Sequence, residues 1–445
     1  MTGFIGDALQ FLSAAAVVTA FILLLLKIFP SSSSELPALP GRDRWFAREN
    51  LRTLLWAAVA AIGSRLLLTA LAWLTLAAAN AWGDEATKML LAEHQLDKKL
   101  ASLSTLFNRW DAPHYLDIAK YGYTSDLTVN GGEQHWFIVF YPLYPALIAL
   151  VRPLLGSEFN AGTLISWVCL AGACYWIYRL AMLDADKREA RRAVKYLLIF
   201  PAAVFLGAPY TESLFLLLTA LCLWALRKGH FWAAGIAGFF AALTRNLGLL
   251  LVVPVIVEAL DRQGAFADAK RLAASRFWLE LLRHCAWALL IPLGAGVYLL
   301  INQIAYGDPF AFLAIQSDHW GQRMQPFWMS VKTTWSYMFN TDVGDQRFFL
   351  WIPQMAGMAL TLAALPFLMR KLRPAYAAYL LVYVAVVLSA SWLLSFNRYM
   401  MACVPLLLGI AAMTRKRWAD WVLSVLFIAA MLFLAAGFMM WKMVV

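Results

Sequence analysis

Charged side chains are scarce in this 445-residue sequence: they make up 14% of the residues, whereas hydrophobic residues make up 62%. A soluble domain usually carries about a quarter charged residues, so the composition excludes a soluble globular protein. Apolar runs that are long enough to cross a bilayer as helices recur along the chain. The sequence therefore predicts an all-α polytopic membrane protein.

Cysteines are few, and their spacing excludes a paired metal-ligand motif. All five lie inside apolar runs: Cys169, Cys174, Cys222, Cys285 and Cys403. Buried cysteines behave as small core residues, so we expect neither a disulfide framework nor a cysteine-bound metal. The acidic residues of the longest polar segment also lack recognisable metal-site spacing. We therefore expect no cofactor and no dependence on a divalent metal.

Acidic residues are outnumbered by basic ones, which gives a formal net charge of +11. The Lys and Arg residues cluster in short connectors between apolar runs, as the positive-inside rule expects of cytoplasmic loops. One such cluster extends from Lys187 to Lys195, and another from Arg415 to Arg417. The charge therefore indicates orientation in a membrane, and it implies no nucleic-acid partner.

The first apolar run, Leu9 to Ile28, has no basic segment before it and no small-residue cleavage site after it. We therefore predict an N-terminal helix that is not cleaved, followed by a Ser- and Pro-rich cytoplasmic linker that ends near residue 50. Residues 51–445 would form the main transmembrane unit, and its first span, Leu54 to Ala79, would run outward. The apolar runs give roughly twelve spans if the proline-interrupted run from Trp136 to Leu155 does not cross fully.

The longest polar segment follows this outward span and should lie on the exoplasmic face. We take residues 81–158 as a first exoplasmic loop with short juxtamembrane helices, and residues 306–347 as a second loop. The first loop contains the run RWDAPHYLDIAKYGY, in which Arg109, Asp111 and His114 stand close together. A long structured loop is usually functional, so this run is the first candidate for a site.

Further polar residues fall at the ends of apolar runs on the same predicted side. They lie in the runs APYTES, LTRNLG and SFNRYM and in the second loop: Tyr210, Glu212, Arg245, Asn246, His319, Arg398 and Tyr399. A charge at membrane depth is costly, so such groups usually face a cavity or a partner. Together with Arg109, Asp111 and His114, they are predicted to line a substrate-binding pocket at the outer leaflet.

The residue types indicate which chemistry this pocket supports. A carboxylate such as that of Asp111 can take a proton from a hydroxyl group. Guanidinium groups such as those of Arg245 and Arg398 bind phosphate oxygens in a fixed fork. A carboxylate and arginines that face lipid indicate a lipid-phosphate substrate. The reaction that fits is sugar transfer from a polyprenyl-phosphate carrier, in which the base activates the acceptor and the cations stabilise the departing phosphate.

Other interpretations of the same residues are open. Asp111 precedes a Pro-containing helix start, so one alternative is that it caps this helix and has no catalytic role. The alternative for Arg245 and Arg398 is that they extend to lipid headgroups. A polytopic transporter is the alternative function, but it predicts an internal repeat. No such repeat is visible, because the motifs WDAPHY and APYTES have no counterparts after Gly264. A flippase of lipid-linked sugars would use the arginines and would need no general base.

The ordered set of motifs resembles a known family. The run RWDAPHYLDIAKYGY followed by FYPLYP is similar to the signature of PIG-V-type mannosyltransferases, which include the enzyme that adds the second mannose to GPI anchors and its bacterial relatives. FLGAPYTESLFLLL, LTRNLGLLL and FNRY resemble later motifs of that family, and the resemblance extends from about Arg65 to about Pro405. Residues 1–50 look like an addition to the family pattern. Whether a protein partner docks on the N-terminal helix is therefore an open question.

The resemblance implies the GT-C glycosyltransferase fold, an inverting single displacement and a dolichyl- or polyprenyl-phosphomannose donor. In that fold an acidic residue of the first large external loop is the base, and Asp111 matches it. The acceptor would be a lipid-linked or cell-envelope glycan, and no residue identifies it as a GPI precursor. The chain would be a multi-pass enzyme of a bacterial cytoplasmic membrane, or of the endoplasmic reticulum in a eukaryote. Its active site would lie on the exoplasmic side, in contact with membrane lipids.

Overall fold

The computed structural model describes residues 48–97, 102–124, 136–266, 274–339 and 344–444. All regular structure in these ranges is helical, apart from one isolated β-bridge between Met324 and Ala390. The all-α fold expected from the composition is therefore confirmed for this part of the chain. The predicted N-terminal helix from Leu9 to Ile28 lies outside the described residues.

Nineteen α-helices follow one another along the described residues. They are α1 (Arg48–Trp82), α2 (Glu85–Glu93), α3 (Leu103–Phe107), α4 (Ala112–Tyr121), α5 (Leu143–Leu155), α6 (Glu158–Ala181), α7 (Lys187–Leu198), α8 (Glu212–Arg227), α9 (Phe231–Ala242), α10 (Val252–Arg262), α11 (Ser275–Cys285), α12 (Leu290–Tyr306), α13 (Ala311–Asp318), α14 (Phe327–Phe339), α15 (Ile352–Lys371), α16 (Pro374–Leu388), α17 (Phe396–Met401), α18 (Val404–Met413) and α19 (Arg417–Met439). Four 3-10 segments, at residues 136–139 and at Ala203–Leu206, Asn246–Leu251 and Ala286–Leu289, and a π-helical turn at Arg347–Trp351 lie between some of these helices in the described ranges.

Five helical segments of the described chain are long and apolar enough to cross a bilayer. They are Glu49–Trp82, Glu158–Ala181, Ser275–Tyr306, Arg347–Lys371 and Arg417–Met439. Four more apolar helices have only 10–17 residues, and a helix of that length rises about 15–26 Å, less than the hydrocarbon core of about 30 Å. The chain is therefore an integral membrane protein, and the count of about twelve spans stays a prediction.

The proline-interrupted run of the first loop forms the 13-residue helix α5. At 1.5 Å per residue this helix is about 20 Å long, so it cannot cross a bilayer alone. It ends at Gly156, whose φ of 73° is a left-handed conformation that glycine adopts without a steric penalty. The chain then continues directly into the long helix α6.

Local caps give the first loop its short helices. The Asp84 side chain accepts a hydrogen bond from the Thr87 backbone N–H at 2.9 Å, which begins α2. Hydrogen bonds from Thr87 also lower the pKa of Asp84. The Ser102 hydroxyl accepts from the Thr105 N–H at 3.1 Å and begins α3. Each cap satisfies a backbone donor that a helix start otherwise leaves unpaired, so this polar segment folds as helices.

The long helix α6 lies at the centre of the packing, where it contacts α1, α5 and α8. Helix α8 packs in turn on α9, and α9 packs on α12. Glycine permits the last contact, because a Cβ on Gly294 of α12 would lie 2.3 Å from the carbonyl oxygen of Phe239. Close approach at small residues is the usual way in which membrane helices pack. This scaffold holds the segment between α7 and α8, which carries part of the site.

Candidate active site

Four charged side chains from separate motifs form one chain of ion pairs, which we call the ionic cluster: Asp111, Glu212, Arg245 and Arg398. Arg398 Nη2 lies 2.7 Å from Asp111 Oδ2, and Arg398 Nε lies 2.9 Å from Glu212 Oε1. Arg245 Nη1 lies 2.6 Å from the same Glu212 oxygen. The Glu212 side chain is fully buried, whereas that of Asp111 is 22% exposed. Asp111 is therefore the member that a substrate reaches most easily.

The loop between α3 and α4 places Asp111 in the ionic cluster. The backbone N–H of Asp111 donates to the Tyr210 hydroxyl oxygen at 3.3 Å, and that hydroxyl donates to the Arg109 carbonyl at 2.7 Å. The Asp111 side chain makes no capping hydrogen bond to α4. Its carboxylate instead contacts Arg398, so the interpretation of Asp111 as a simple helix cap does not describe its side chain.

Trp110, immediately before Asp111, has a left-handed backbone conformation with a φ of 55°. This conformation is uncommon for a bulky residue, and strained backbone of this kind clusters at functional sites. It lies in the turn between the end of α3 and the start of α4. The direction of the Asp111 side chain therefore depends on a backbone geometry that most sequences avoid.

The segment between α7 and α8 supplies Glu212, the first residue of α8. The Ser213 hydroxyl donates to the Leu206 carbonyl at 2.9 Å, which closes the turn, and Arg245 Nη1 donates to the Thr211 hydroxyl oxygen at 3.1 Å. A buried carboxylate is stable only when cations pair with it. Glu212 meets that condition with two guanidinium groups, and it thereby fixes their separation.

Arg398, on the short helix α17, contacts both carboxylates of the ionic cluster. Its guanidinium carbon lies 5.4 Å from the ring centroids of both Phe205 and Tyr210. Its Nη1 atom is buried and has no hydrogen-bond partner among the described residues. Arg245 in turn lies 4.9 Å from the Tyr399 ring centroid. Arg398 therefore has one buried guanidinium nitrogen that pairs with no described residue.

A close contact between α15 and α17 sets the position of Arg398. Asn397 Nδ2 donates to the Pro353 carbonyl at 2.7 Å, and the Asn397 N–H donates to Gln354 Oε1 at 2.8 Å. A Cβ on Gly357 would lie 1.8 Å from Asn397 Oδ1. Because two hydrogen bonds fix Asn397, it cannot move away without losing them. Only glycine at position 357 therefore permits this packing.

We expect Gly357→Ala to destabilise the protein by about 1–3 kcal/mol, the usual effect of overpacking a tight contact. Thermal unfolding in detergent, followed by exposure of buried cysteines, measures the effect. Gly296→Ala is the matched control, because a Cβ at Gly296 of α12 meets nothing within 4 Å. Alanine favours a helix over glycine by about 1 kcal/mol, so the control should be neutral or more stable. Equal thermal unfolding midpoints for the two variants would contradict the conclusion that position 357 has no room for a Cβ.

The two predicted histidines lie in an aromatic group next to α4. The His114 ring stacks on Phe140 with centroids 4.9 Å apart, and the His319 ring stacks on Trp136 at 3.8 Å. Trp320 links them, with its centroid 6.3 Å from that of His114 and 4.3 Å from that of His319. The two predicted loops thus meet here, and substrate binding by these histidines stays a prediction.

Two other predicted residues direct their side chains away from the ionic cluster. The Arg109 guanidinium donates to the carbonyls of Phe438 and Thr105 and lies 4.5 Å from the Trp441 ring centroid. The Asn246 side chain accepts a hydrogen bond from the Leu247 N–H at 2.8 Å and is exposed. Arg109 therefore joins the first loop to the end of α19, whereas the Asn246 side chain bonds to the next residue at the start of its own 3-10 segment.

Sequence reasoning missed two residues that support the ionic cluster. The Phe205 ring centroid lies 5.4 Å from the Arg398 guanidinium carbon, and the Tyr115 hydroxyl lies 3.5 Å from the hydroxyl of Thr211, which contacts Arg245. Both residues lie within motifs that the sequence had indicated, so motif membership was the available signal. Their individual contacts needed coordinates.

The charges of the ionic cluster balance, with two guanidinium groups and two carboxylates. Burial, followed by the nearby Asp111 carboxylate, raises the pKa of Tyr210 well above its ordinary value. The phenol therefore stays protonated and donates to the Arg109 carbonyl. No group of three or more metal-ligating side chains occurs among the described residues, and metal independence stays a prediction. The arrangement places a partly exposed carboxylate in contact with a guanidinium group that has one nitrogen without a partner among the described residues.

Comparison with known proteins gives a consistent set of similarities. A family described as mannosyltransferase (PIG-V) matches residues 60–320 of this chain. GPI alpha-1,6-mannosyltransferase 2 of Rattus norvegicus is 32% identical over 168 residues, and its counterpart in Homo sapiens is 31% identical over 168 residues. Each alignment covers 35% of this chain and 32% of the relative. The matched part thus spans about a third of the length of these relatives.

Solved structures show a more distant likeness. The Archaeoglobus fulgidus oligosaccharyltransferase in its apo form aligns with 91% of this chain and 57% of its own, at 14% sequence identity and a TM-score of 0.41. The Archaeoglobus fulgidus oligosaccharyltransferase AglB, in complex with an inhibitory peptide and a dolichol-phosphate, aligns with 89% of this chain and 56% of its own, at 14% identity and a TM-score of 0.41.

Proposed function

Because this chain belongs to the mannosyltransferase (PIG-V) family, we propose that it transfers a mannosyl residue from a polyprenyl- or dolichyl-phosphate-linked donor to a lipid-linked or cell-envelope glycan. The observation that carries this proposal is the ionic cluster, in which Arg398 joins the partly exposed Asp111 to the buried Glu212. The reaction takes place on the exoplasmic side of the membrane. There the first loop, which carries Asp111, follows the outward-running helix α1.

The proposed reaction is a single displacement. Asp111 accepts the proton of an acceptor hydroxyl, and the hydroxyl oxygen forms a bond to C1 of the mannosyl group. The bond between C1 and the phosphate oxygen breaks, and its electron pair stays on the phosphate. Attack occurs on the face opposite the departing phosphate, so the configuration at C1 inverts. The protonated Asp111 returns its proton to solvent before the next turnover.

Arg398 is the proposed partner of the departing phosphate. Its buried Nη1 has no hydrogen-bond partner among the described residues, and guanidinium binds phosphate oxygens strongly. Glu212 holds Arg245 next to Arg398, so a second cation stabilises the charge that develops on the phosphate. Because Glu212 orients these donors before substrate arrives, little reorganisation is needed during the reaction. In this role Glu212 is a positioning residue.

The remaining predicted residues have proposed roles in substrate binding. His114 and His319 lie in an aromatic group beside α4, where rings can contact a sugar. Tyr210 and Tyr399 contact the arginines by their rings and keep water from them. Arg109 and Asn246 act indirectly in this proposal, through the loop and the 3-10 segment that they stabilise. We propose that the reaction needs no metal ion, with guanidinium groups as the donors to the phosphate oxygens.

The test of this proposal is reconstitution of sugar transfer. Purified protein in lipid nanodiscs receives radiolabelled polyprenyl-phosphomannose and a lipid extract from cells that lack the gene, which supplies acceptors that accumulate without the enzyme. We expect label to move into a glycolipid, and mass spectrometry of that product identifies the acceptor. Boiled protein is the control. Proteoliposomes that move the intact donor across the bilayer without transferring its sugar would contradict the proposal and would favour a flippase.

A further inference from the structure

A cluster of aromatic side chains adjoins the turn that carries Asp111. We call it the tryptophan cluster, and it consists of Trp110, Tyr337, Trp351 and Trp392. The Tyr337 ring stacks on Trp351 with centroids 4.9 Å apart and 15° between the ring planes. The Trp392 centroid lies 6.1 Å from those of both Tyr337 and Trp351. Trp110 packs against the same group, so the cluster is continuous with the residue that precedes Asp111.

The indole N–H groups of this cluster have no acceptors in the part of the chain that the structure describes. The Nε1 atoms of Trp110, Trp351 and Trp392 are all buried, and none has a hydrogen-bond partner among the described residues. A buried donor without a partner is destabilising, and native structures contain few of them. Three in one cluster indicate a ligand that supplies acceptors. The donors are uncharged, so hydroxyl or ether oxygens suit them.

Two of the three tryptophans also have unusual backbone. Trp110 has a left-handed φ of 55°, and Trp351 ends the π-helical turn Arg347–Trp351. Both conformations are rare and are found mostly where function requires them. They arise in different parts of the chain, at the first loop and before α15, yet they place their side chains in the same cluster. The cluster therefore carries signs of functional constraint that ordinary core packing does not explain.

A pyranose ring fits the chemistry of this cluster. One face of such a ring presents C–H groups that pack on indole and phenol faces, and its edge presents hydroxyl and ring oxygens that accept from indole N–H groups. An acyl chain offers no acceptor, and a phosphate would lack a cation in the cluster. Trp110, Tyr337 and Trp392 are each partly exposed, so the cluster reaches the surface of the described structure.

We propose that the tryptophan cluster is the subsite for the sugar ring of the acceptor glycan. The assignment of this sugar to the acceptor rests on the proposed function, whereas binding of a pyranoside here does not. Trp110 directly precedes Asp111, so a ring held by Trp110 presents its hydroxyl groups next to the carboxylate. Arg398 holds the donor phosphate at the same carboxylate, and the two substrates meet there.

Binding of octyl α-mannopyranoside to the full chain in nanodiscs tests the subsite. Tryptophan-to-phenylalanine changes keep an aromatic ring and remove the N–H, so they separate hydrogen bonding from packing. We expect Trp110→Phe and Trp392→Phe each to weaken binding by about five- to tenfold, the usual effect of one lost hydrogen bond. Equilibrium dialysis with radiolabelled ligand measures the affinity. Empty nanodiscs and radiolabelled octane, which lacks both the sugar and any acceptor oxygen, give the background.

The matched control is Trp224→Phe, a change at a buried tryptophan of α8 outside the cluster. It should bind the mannoside like the unchanged protein, and thermal midpoints should show that all three variants are folded. Two variants are used so that misfolding of one does not prevent the test. If both folded cluster variants bind normally, the subsite is wrong, whether or not the protein transfers sugar. If they lose binding while the unchanged protein fails to transfer mannose, the subsite stands and the proposed reaction is wrong.

Discussion

Asp111→Asn should reduce the rate of mannosyl transfer by about 10²- to 10⁴-fold, the usual contribution of a general base. The amide has nearly the same shape as the carboxylate but cannot accept the acceptor proton. Donor binding should be normal or tighter, because the change removes the negative charge 2.7 Å from Arg398 Nη2, which would otherwise repel the donor phosphate. Single-turnover transfer and equilibrium binding of the phosphomannose donor, measured separately, distinguish the two effects.

Asp117→Asn is the matched control, because Asp117 lies on the same helix α4 outside the ionic cluster. It should keep most of its transfer rate. An Asp111→Asn protein that also keeps most of its rate would remove Asp111 as the base. An Asp111→Asn protein that loses donor binding and rate together would instead assign Asp111 a role in holding Arg398 in place.

Arg398→Gln should lower kcat/KM for the phosphomannose donor by about 10²- to 10³-fold, as expected when one donor to a developing anion is removed. The fold should survive, because Glu212 keeps its 2.6 Å ion pair with Arg245. Arg398→Lys keeps the charge but loses the planar fork, so it should recover only part of the activity. Steady-state kinetics with varied donor concentration measure both variants.

Arg152→Gln is the control for the loss of an arginine, because Arg152 pairs with Glu158 at 3.0 Å in a partly exposed position on α5. Exposed ion pairs of this kind contribute little to stability, so the change should have little effect on stability or transfer. Donor affinity and turnover that are unchanged in Arg398→Gln would exclude Arg398 as the phosphate partner. A selective effect on acceptor kinetics would place the acceptor at this guanidinium instead.

The sequence predicted the helical membrane fold because composition alone decides it. It also selected Asp111, Glu212, Arg245 and Arg398, which the structure brings together in one ionic cluster. The reason is physical: a charge in an apolar chain needs a partner, so charges on one side of the membrane tend to meet. The sequence did not predict which of these charges pair, because no local pattern indicates that the Arg398 guanidinium contacts both carboxylates.

Contacts between distant segments account for most of what the sequence left open. Arg109 stands in the same motif as Asp111, yet its guanidinium reaches Phe438, 329 residues away. The tryptophan cluster likewise combines the first loop with residues around Tyr337, Trp351 and Trp392. Hydropathy marks each tryptophan only as an interface residue. The number of spans is a separate matter. Four apolar helices of the described chain have only 10–17 residues, so their length does not show whether they cross the membrane.

The contact between Arg109 and Phe438 also bears on when the site can form during synthesis. Chains are made and inserted from the N-terminus, so the loop with Asp111 emerges long before the residues that hold it. Trp441, on which the Arg109 guanidinium lies, comes later still. A ribosome-bound chain that stops before these residues would therefore contain every charged member of the ionic cluster and still lack the support for the turn at Trp110. The complete site should therefore form late and abruptly, when α19 inserts into the membrane.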